Sequence, residues 1–312
     1  MPPQVICVVG PTASGKTALG VWLAKEYNGE VVSCDSMQIY RRMDIGTAKP
    51  TAEEMEGIPH HMIDVADPAE DFSVERYRKM AAPIVDDILS RGKTPVIVGG
   101  TGLYLDGLLN GHDFAMKSTG WREKLQAQFD AEGIKPLWEM LEEVDPEAAT
   151  RLSPNDTKRV IRALEVYYET GKTISAHNAA TRLLPPRYTA LKLGLNFEDR
   201  ADLWQRIDLR VDEMARLGLV EEVKALLDSG IPAACTAMQA IGYKEVARAL
   251  QSGGDITAAL EEVKLRSRQY AKRQLTWFRR DKATEWYLHG KPIDLEALRR
   301  FAAEKISASG IQ

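Results

Sequence analysis

An eight-residue segment near the start of the chain has the residue types and the spacing of a phosphate-binding loop. Its letters, GPTASGKT, match the pattern G-x-x-x-x-G-K-[ST], after an apolar run and before a helical pattern over residues 17–27. The glycines let consecutive backbone N–H groups face one anion, and the N-terminus of the following helix adds partial positive charge. We therefore predict that this phosphate loop binds its ligand through Gly10, Pro11, Thr12, Ala13, Ser14, Gly15, Lys16 and Thr17.

The motif itself leaves the ligand of the phosphate loop open. Lys16 would neutralise a terminal phosphate, and the Thr17 hydroxyl would bind Mg²⁺. A nucleoside triphosphate is the default ligand, but any diphosphate of suitable geometry would satisfy the same donors. A glycine turn without a ligand is the disfavoured alternative, because a strand pattern precedes the motif and a helix pattern follows it.

Asp35 is the second residue with a candidate chemical role. It follows the apolar residues 31–33, and so stands at the carboxyl end of a predicted buried strand. If that strand neighbours the one before the phosphate loop, the carboxylate lies beside the loop and can accept a proton from an acceptor substrate. The alternatives, a helix N-cap or an indirect magnesium ligand, are favoured for an isolated aspartate, so the residue type and position alone leave the role of Asp35 open.

The elements that must position these residues follow an α/β pattern. Apolar runs rich in β-branched residues occur at residues 5–9, 31–33, 62–65, 95–98 and 188–195, and most are followed by helical patterns. This alternation predicts a parallel sheet flanked by helices, a P-loop NTPase-like core, with its ligands at the carboxyl edge of the sheet.

A second, helical region interrupts this pattern. Between residues 114 and 184 the strand signal disappears, and charged helical stretches cover residues 121–132 and 136–143. We predict a helical insertion domain over 114–184 and an α/β catalytic core formed by residues 1–113 and 185–312.

The bulk composition excludes a global electrostatic attraction to polyanions. The chain has 312 residues, 28% of them charged, and a net charge of -4, so any nucleic-acid site must be a local patch. Three widely separated cysteines disfavour a zinc module and a disulfide framework, and fit a reducing compartment. No segment has the pattern of a signal peptide or the length of a membrane span, so we expect a cytoplasmic protein without membrane contact.

Several segments, in one order, resemble the bacterial tRNA dimethylallyltransferases, also called tRNA isopentenyltransferases. After the phosphate loop these are DSMQIYRRMDIGTAKPT, GGTGLY, NDTKRVIRALEVY, RIDLRVDEM with GLVEEV after it, AMQAIGYKE and RQYAKRQLTWFRR, and the resemblance covers nearly the whole chain. It implies transfer of a dimethylallyl group from dimethylallyl diphosphate to the N6 amine of adenine 37, next to the anticodon of tRNAs that read codons beginning with U. The products would be N6-(dimethylallyl)adenosine and diphosphate.

The resemblance also implies roles for single residues around the donor. The phosphate loop would hold the diphosphate with Mg²⁺ bridging its oxygens, and Arg210 would support the diphosphate from the far side. Asp35 would be the general base for the adenine amine, and Thr101 would lie against the substrate. The alternative for Arg210 is a helix-surface arginine paired with Glu213 or Asp212.

A larger set of residues matches positions that contact tRNA in the family. Besides Asp35 and Thr101, these are Ser36, Met37, Gln38, Arg122, Lys158, Arg159, Val160, Ile161, Arg162, Ala163, Gln239, Gly242 and Lys244. The implied partner is the tRNA anticodon stem-loop, bound by a monomer. A solvated helix face is the alternative for Lys158, Arg159 and Arg162.

A basic and aromatic run near the C-terminus fits an RNA partner. Eight basic residues occur within the nineteen residues 264–282 beside one acid, Asp281: Lys264, Arg266, Arg268, Lys272, Arg273, Arg279, Arg280 and Lys282. Tyr270, Trp277 and Phe278 could stack on bases, although Leu265, Tyr270 and Trp277 could equally pack in the core.

Three other functions would use some of the same residues. A small-molecule kinase would hold ATP in the phosphate loop and use Asp35 to activate a hydroxyl, but it leaves the basic run and the insertion unexplained. A prenyltransferase of free adenine nucleotides would have no use for RNA-holding segments. A non-catalytic, nucleotide-dependent RNA-binding protein would leave Asp35 and Arg210 without a task. We expect the tRNA enzyme.

Overall fold

A computed structural model describes residues 4–111 and 119–311. The chain divides into two compact units, one of Met1–Gly111 with Arg187–Gln312 and the other of His112–Pro186. Within the described residues, no helix is both long and apolar enough to cross a membrane. All three cysteines are free thiols, as the sequence predicts.

The first unit is built on one parallel sheet, as predicted. Its strands are β1 (Val5–Val9), β2 (Gly29–Ser33), β3 (His60–His61), β4 (Thr94–Gly99), β5 (Ala190–Phe197) and β6 (Glu285–His289). Their order in the sheet is β3-β2-β4-β1-β5-β6. Every residue of β1, β2 and β4 is buried, which is why these strands appear in the sequence as continuous apolar runs rather than alternating ones.

The condition that the strands before the phosphate loop and before Asp35 are neighbours is not met, and the predicted position of one strand is wrong. Strands β1 and β2 are not neighbours, because β4 pairs with both and lies between them. The third strand lies at His60–His61 rather than at residues 62–65, since Met62 and Asp64 have φ angles of 62° and 57°. A left-handed backbone at those positions ends the extended conformation.

Helices cover both faces of the sheet. They are α1 (Lys16–Glu26), α2 (Ala52–Met55), α3 (Val74–Ser90) and α4 (Gly102–Asn110). The side chains of β1 alternate between two cores, with Val5, Cys7 and Val9 in one, and Ile6 and Val8 in the other.

The second unit is entirely helical in its described part. Its helices are α5 (Trp121–Glu132), α6 (Ile134–Val144), α7 (Pro146–Arg151), α8 (Thr157–Thr170) and α9 (Ile174–Arg182). It has a core of its own, formed around Leu125, Leu137, Leu141, Val160 and Leu164. The two predicted helices of this region correspond to α5 and α6.

The first unit resumes at β5 and closes with five more helices. These are α10 (Arg200–Leu217), α11 (Leu219–Asp228), α12 (Tyr243–Ser252), α13 (Ile256–Phe278) and α14 (Leu295–Ser309). Helices α10 and α13 pack against each other, and both supply side chains to the cavity described next.

Candidate active site

The phosphate loop joins β1 to α1 in a conformation that requires glycine at one position and favours it at a second. Gly10 has φ 142°, and a Cβ added there would lie 2.4 Å from the carbonyl oxygen of Leu195. Gly15 has φ 88° and precedes α1 without a side-chain cap, so the first N–H groups of the helix have no capping partner. This is the geometry that suits an anion.

Three side chains from distant elements hold the outside of the phosphate loop. Gln274 of α13 accepts the Thr12 N–H at 2.9 Å, and its amide nitrogen donates to the Gly100 carbonyl at 3.0 Å. Arg206 of α10 donates to the Ala13 carbonyl at 3.1 Å. His289 of β6 lies 3.0 Å from the Ser14 carbonyl and donates to it. The loop is therefore shaped by residues that its own motif does not contain.

Lys16 and Arg210 bring two cations to the inner side of this loop. The Lys16 ammonium donates to the Pro11 carbonyl at 2.7 Å, and an Arg210 nitrogen lies 3.5 Å from the Thr12 hydroxyl. Burial and the nearby Arg210 charge lower the pKa of Lys16 to about 7, although Asp35 acts in the opposite sense. Burial likewise lowers the pKa of Arg210. An anion would relieve the repulsion between these cations.

The alternative interpretation of Arg210, as a surface arginine paired within its own helix, is wrong. Glu213 is bound by Arg216 at 2.5 Å, and Asp212 by Lys264 at 2.6 Å. Both carboxylates are thus engaged elsewhere, and Arg210 lines the cavity instead.

Asp35 begins a tight turn after β2. Its Oδ1 accepts the backbone N–H groups of Met37 at 2.8 Å and Gln38 at 3.4 Å, so it caps a turn rather than a helix. The Ser36 N–H donates to the Thr101 hydroxyl at 3.1 Å. Thr101 thus holds the turn through this hydrogen bond, while residues 35–38 themselves line the cavity.

Gly99 and Gly100, at the end of β4, allow the phosphate loop and the Asp35 turn to come together, although β4 lies between β1 and β2. A Cβ at Gly99 would lie 2.1 Å from the carbonyl oxygen of Cys34. One at Gly100 would lie 2.0 Å from the Gln274 amide nitrogen and 3.5 Å from the Gly10 carbonyl oxygen. Because neither glycine has a side chain, the end of β4 is thin enough for the phosphate loop and the Asp35 turn to meet across it.

These residues surround one cavity of about 350 Å³. Its polar part is formed by Thr12, Lys16, Thr17, Asp35 and Arg210. An apolar part is formed by Ile207, Val211 and Met214 of α10, Val263 of α13 and Ile241. The combination fits a ligand that carries both a charged group and a small hydrocarbon group.

The sequence motifs do not identify two further residues that α13 contributes. Gln274 and Tyr270 both line the cavity, and burial together with the Asp35 charge raises the pKa of Tyr270 to about 12. The phenol is therefore a neutral hydrogen-bonding group near neutral pH. Nothing in this highly basic stretch indicates that Gln274 faces inward, whereas an inward-facing Tyr270 is one of the two alternatives that the sequence leaves open.

The remaining residues of the first unit that are predicted to contact tRNA differ in their exposure. Gln239 lines the cavity, in a short 3₁₀ turn over Ala237–Gln239. Gly242 precedes α12 with φ 98°, a value that favours glycine, and Lys244 is exposed on that helix.

In the helical unit the predicted residues divide into exposed and buried ones. Lys158 is exposed, and Arg159 and Arg162 are bound by Asp156 at 2.6 Å and by Glu165 at 2.9 Å. Arg122 is also exposed, 3.8 Å from the Glu165 carboxylate. Side-chain contacts to RNA are not open to three predicted residues, because they lie in the core of this unit: Val160, Ile161 and Ala163.

The basic run is partly neutralised by neighbouring acids. Lys264 is bound by Asp212, Arg266 by Glu262 and Arg268 by Asp208. No ion pair is recorded, over the described ranges 4–111 and 119–311, for its remaining cations: Lys272, Arg273, Arg279, Arg280 and Lys282.

The aromatic residues of the run are split between core and site. Phe278 is buried, and Trp277 donates to Asp106 at 3.1 Å while Arg280 stacks on its ring at 4.0 Å. Tyr270 faces the cavity, and Leu265 is 46% exposed instead of packing in the core.

A parallel sheet with a phosphate loop at its carboxyl edge, and a carboxylate on the loop across it, defines a P-loop-type α/β protein with a phosphate-binding site. Comparisons with known proteins define the family. A sequence profile described as IPP transferase matches residues 38–281, and one described as isopentenyl transferase matches residues 3–72.

Individual relatives agree with the profiles. The tRNA dimethylallyltransferase of Thermoanaerobacter sp. (strain X514) is 47% identical over 300 residues, 95% of each chain. The solved tRNA isopentenylpyrophosphate transferase from Bacillus halodurans shares 41% identity at a TM-score of 0.73, over 98% of both chains. A eukaryotic dimethylallyltransferase acting on tRNA shares 33% identity at a TM-score of 0.80, over 97% of this chain and 77% of that one. This chain belongs to the tRNA dimethylallyltransferase family, and the resemblance of its motifs is confirmed.

Proposed function

We propose that the protein transfers the dimethylallyl group of dimethylallyl diphosphate to the N6 amine of adenine 37 in tRNAs that read codons beginning with U. The bond from the allylic carbon to the diphosphate oxygen breaks, a carbon–nitrogen bond forms, and one N6 proton is lost. The observation that carries the proposal is the cavity of the first unit, in which phosphate-binding cations, a carboxylate and an apolar wall face one another.

The donor end of the cavity is suited to the departing diphosphate. As the carbon–oxygen bond stretches, negative charge collects on the diphosphate, and donors aimed at that charge stabilise the transition state more than the ground state. Lys16, Arg210 and the N–H groups of the phosphate loop are those donors. The apolar side chains of α10 and α13 would hold the hydrocarbon and exclude water from the allylic carbon, which carries positive charge.

The acceptor end is suited to a weak nucleophile. The lone pair of an adenine amine is delocalised into the ring, so the amine attacks only as the leaving group departs, and its acidity rises as the new bond forms. Asp35 would take that proton, a contribution of about 10² to 10⁴ in rate. Its Oδ1 is already bound by two backbone N–H groups, which leaves Oδ2 for the substrate.

A magnesium ion fits this site as a companion of the diphosphate. The described residues contain no group of three His, Cys, Asp or Glu side chains that could hold a metal ion by themselves. Mg²⁺ commonly binds through one or two protein oxygens together with substrate phosphates, and the Thr17 hydroxyl lines the cavity beside Lys16. When bound there, the ion would neutralise charge on the diphosphate.

The tRNA partner is the anticodon stem-loop, bound by a monomer in the cytoplasm, where its tRNA substrate is found. A stacked base must leave the stack to reach an enclosed cavity, and the enzyme must hold the surrounding phosphates while it does so. The exposed cations in the last turns of α13 and just after it have no acidic partner among the residues that the structure describes, and they are suited to that task, as are Lys158, Arg159 and Arg122 of the helical unit.

The proposal is tested by incubating the purified protein and Mg²⁺ with unmodified tRNA and either dimethylallyl diphosphate or ATP. Mass analysis of the RNA should reveal one dimethylallyl group per tRNA with the allylic donor, located at adenine 37. The small-molecule kinase that the phosphate loop alone would allow is not favoured by the relatives' names. ATP consumption with unchanged RNA would nevertheless establish it and refute the transferase.

A further inference from the structure

A loop without regular secondary structure forms one wall of the cavity, and side chains of other elements bind its backbone. Residues 44–48, here called the wall loop, follow the Asp35 turn, and Gly46, Thr47 and Ala48 line the cavity. The Gln38 amide nitrogen donates to the carbonyl groups of Thr47 at 3.3 Å and Ala48 at 3.1 Å. The wall loop is thereby tied to the segment that would meet the target adenine.

A single carboxylate binds the outer side of the wall loop. Glu222 of α11 accepts the consecutive backbone N–H groups of Asp44 at 2.8 Å, Ile45 at 2.9 Å and Gly46 at 3.1 Å. The hydroxyl of the fully buried Tyr243 donates to the same carboxylate. Four donors therefore converge on two oxygens, which is the arrangement of a bound anion in a backbone nest.

The wall loop is also fitted closely against α12. A Cβ at Gly46 would lie 2.4 Å from the Tyr243 ring, so the backbone of the loop rests directly on that ring. Burial and the Glu222 carboxylate both raise the pKa of Tyr243, which keeps its hydroxyl a donor. Without the carboxylate, the Tyr243 oxygen would be the one nearby acceptor for three converging N–H groups, and the loop would have to move to satisfy the others.

We propose that Glu222 is a positioning residue for the acceptor side of the reaction, an inference that rests on the proposed function. It fixes the wall loop, and through Gln38 the Asp35 turn, at the separation at which the acceptor base and the donor carbon meet. A displacement of about 1 Å in a reacting group can cost up to about 10² in rate. Glu222 makes no contact with the phosphate loop, Lys16 or Arg210 among its recorded hydrogen bonds, so donor affinity should not depend on it.

Glu222→Gln tests this role with little change of shape. Its amide oxygen can still accept the N–H groups of Asp44 and Ile45, and the Tyr243 hydroxyl can rotate to accept from the new amide nitrogen. The Gly46 N–H loses its acceptor, because it can only donate and the new amide nitrogen can only donate as well. We expect its hydrogen exchange, followed by NMR, to accelerate at least about tenfold, whereas exchange at Arg76, whose N–H is bound by Ser73 at the start of α3, should not change.

Measuring kcat and donor affinity together distinguishes a positioning role of Glu222 from a general loss of stability. For Glu222→Gln, kcat on tRNA should fall about tenfold, while the dissociation constant for dimethylallyl diphosphate stays within about twofold of the wild-type value. Glu221→Gln removes the same charge from the neighbouring exposed residue of α11, and this variant should have the wild-type kcat and the wild-type dissociation constant. Tyr243→Phe, which removes one of four donors, should have an intermediate effect.

Two results would overturn the proposal. If kcat and donor affinity decline together with the melting temperature, Glu222 supports the fold as a whole and has no special relation to the acceptor. If exchange at Gly46 accelerates and kcat stays at the Glu221→Gln level, the position of the wall loop does not matter for transfer. A wild-type protein that transfers nothing to tRNA would instead refute the proposed function, and the exchange measurement, which needs no substrate, would then decide alone whether Glu222 holds the loop.

Discussion

The Lys16 ammonium has an unusual environment at the phosphate loop. Its ammonium is folded back onto the Pro11 carbonyl, and burial together with Arg210 lowers its pKa to about 7. A bound diphosphate would replace that carbonyl with an anion and raise the pKa again. Donor binding is thereby coupled to the protonation of one side chain.

Donor affinity should therefore depend on pH through Lys16. Since only the protonated form attracts the diphosphate fully, the dissociation constant for dimethylallyl diphosphate should rise by up to about tenfold per pH unit above pH 7, until the pKa of the complex is reached. Calorimetry at pH 8 in buffers of different ionisation enthalpy should detect uptake of up to one proton. Lys16→Arg stays charged and serves as the control, so its affinity should be flat across this range. An equal slope in that variant would attribute the effect to another group.

Asp35 combines a structural and a chemical role on one carboxylate, and the two can be separated. Asp35→Asn keeps an oxygen for the N–H groups of Met37 and Gln38 but removes the base. We expect kcat to fall by about 10² to 10⁴ with donor affinity unchanged, measured by single-turnover transfer and by calorimetry. Transfer at the wild-type rate would exclude Asp35 as the base.

At the scale of elements, α13 connects the site to the rest of the first unit. Gln274 bonds the phosphate loop and the end of β4 at the same time, and Arg268 binds Asp208 of α10 at 2.6 Å. Trp277 packs on Gly102 at the start of α4. The helix thus fixes the relative positions of three elements that carry cavity residues.

Gln274→Leu should damage both stability and donor binding. It leaves the Thr12 N–H and the buried Gly100 carbonyl without their partner, which we expect to lower the free energy of unfolding by roughly 2 to 4 kcal/mol. Gln269 is an exposed glutamine of the same helix, so Gln269→Leu is the matched control and should change the free energy of unfolding by less than about 0.5 kcal/mol. Denaturant titration and donor calorimetry on both variants would test this. Equal stabilities would mean that solvent or a rearranged loop satisfies both groups.

At the scale of the molecule, the sequence predicted the parts of the site that are local in the chain. The phosphate loop and the Asp35 segment each lie within a short run whose residue types already limit the backbone, and the buried strands appear as apolar runs. The strand order could not be obtained in this way, because β2 and β1 are separated by a strand that comes later in the chain.

Long-range partners were also beyond the reach of the sequence patterns. Gln274 is 262 residues from Thr12, and Glu222 is 178 residues from Asp44. Both are ordinary polar residues on charged helices, where an exposed position is the default expectation. The resemblance alone also did not indicate that the side chains of Val160, Ile161 and Ala163 are buried, since a match to a family position does not show which face of the helix a residue occupies.

The distribution of charge leads to the last prediction. With a net charge of -4, the chain must bind RNA through local cations, and ion pairs remove several candidates from the run 264–282. Arg279 and Arg266 are both exposed, but Arg266 is bound by Glu262 at 3.2 Å. Arg279→Ala should lower the slope of log K against log salt for tRNA binding by about 0.7 to 0.9, whereas Arg266→Ala should change it much less. Titrations from about 50 to 200 mM salt would measure both slopes against that of the wild type, and a wild-type slope for Arg279→Ala would show that Arg279 does not contact tRNA phosphates.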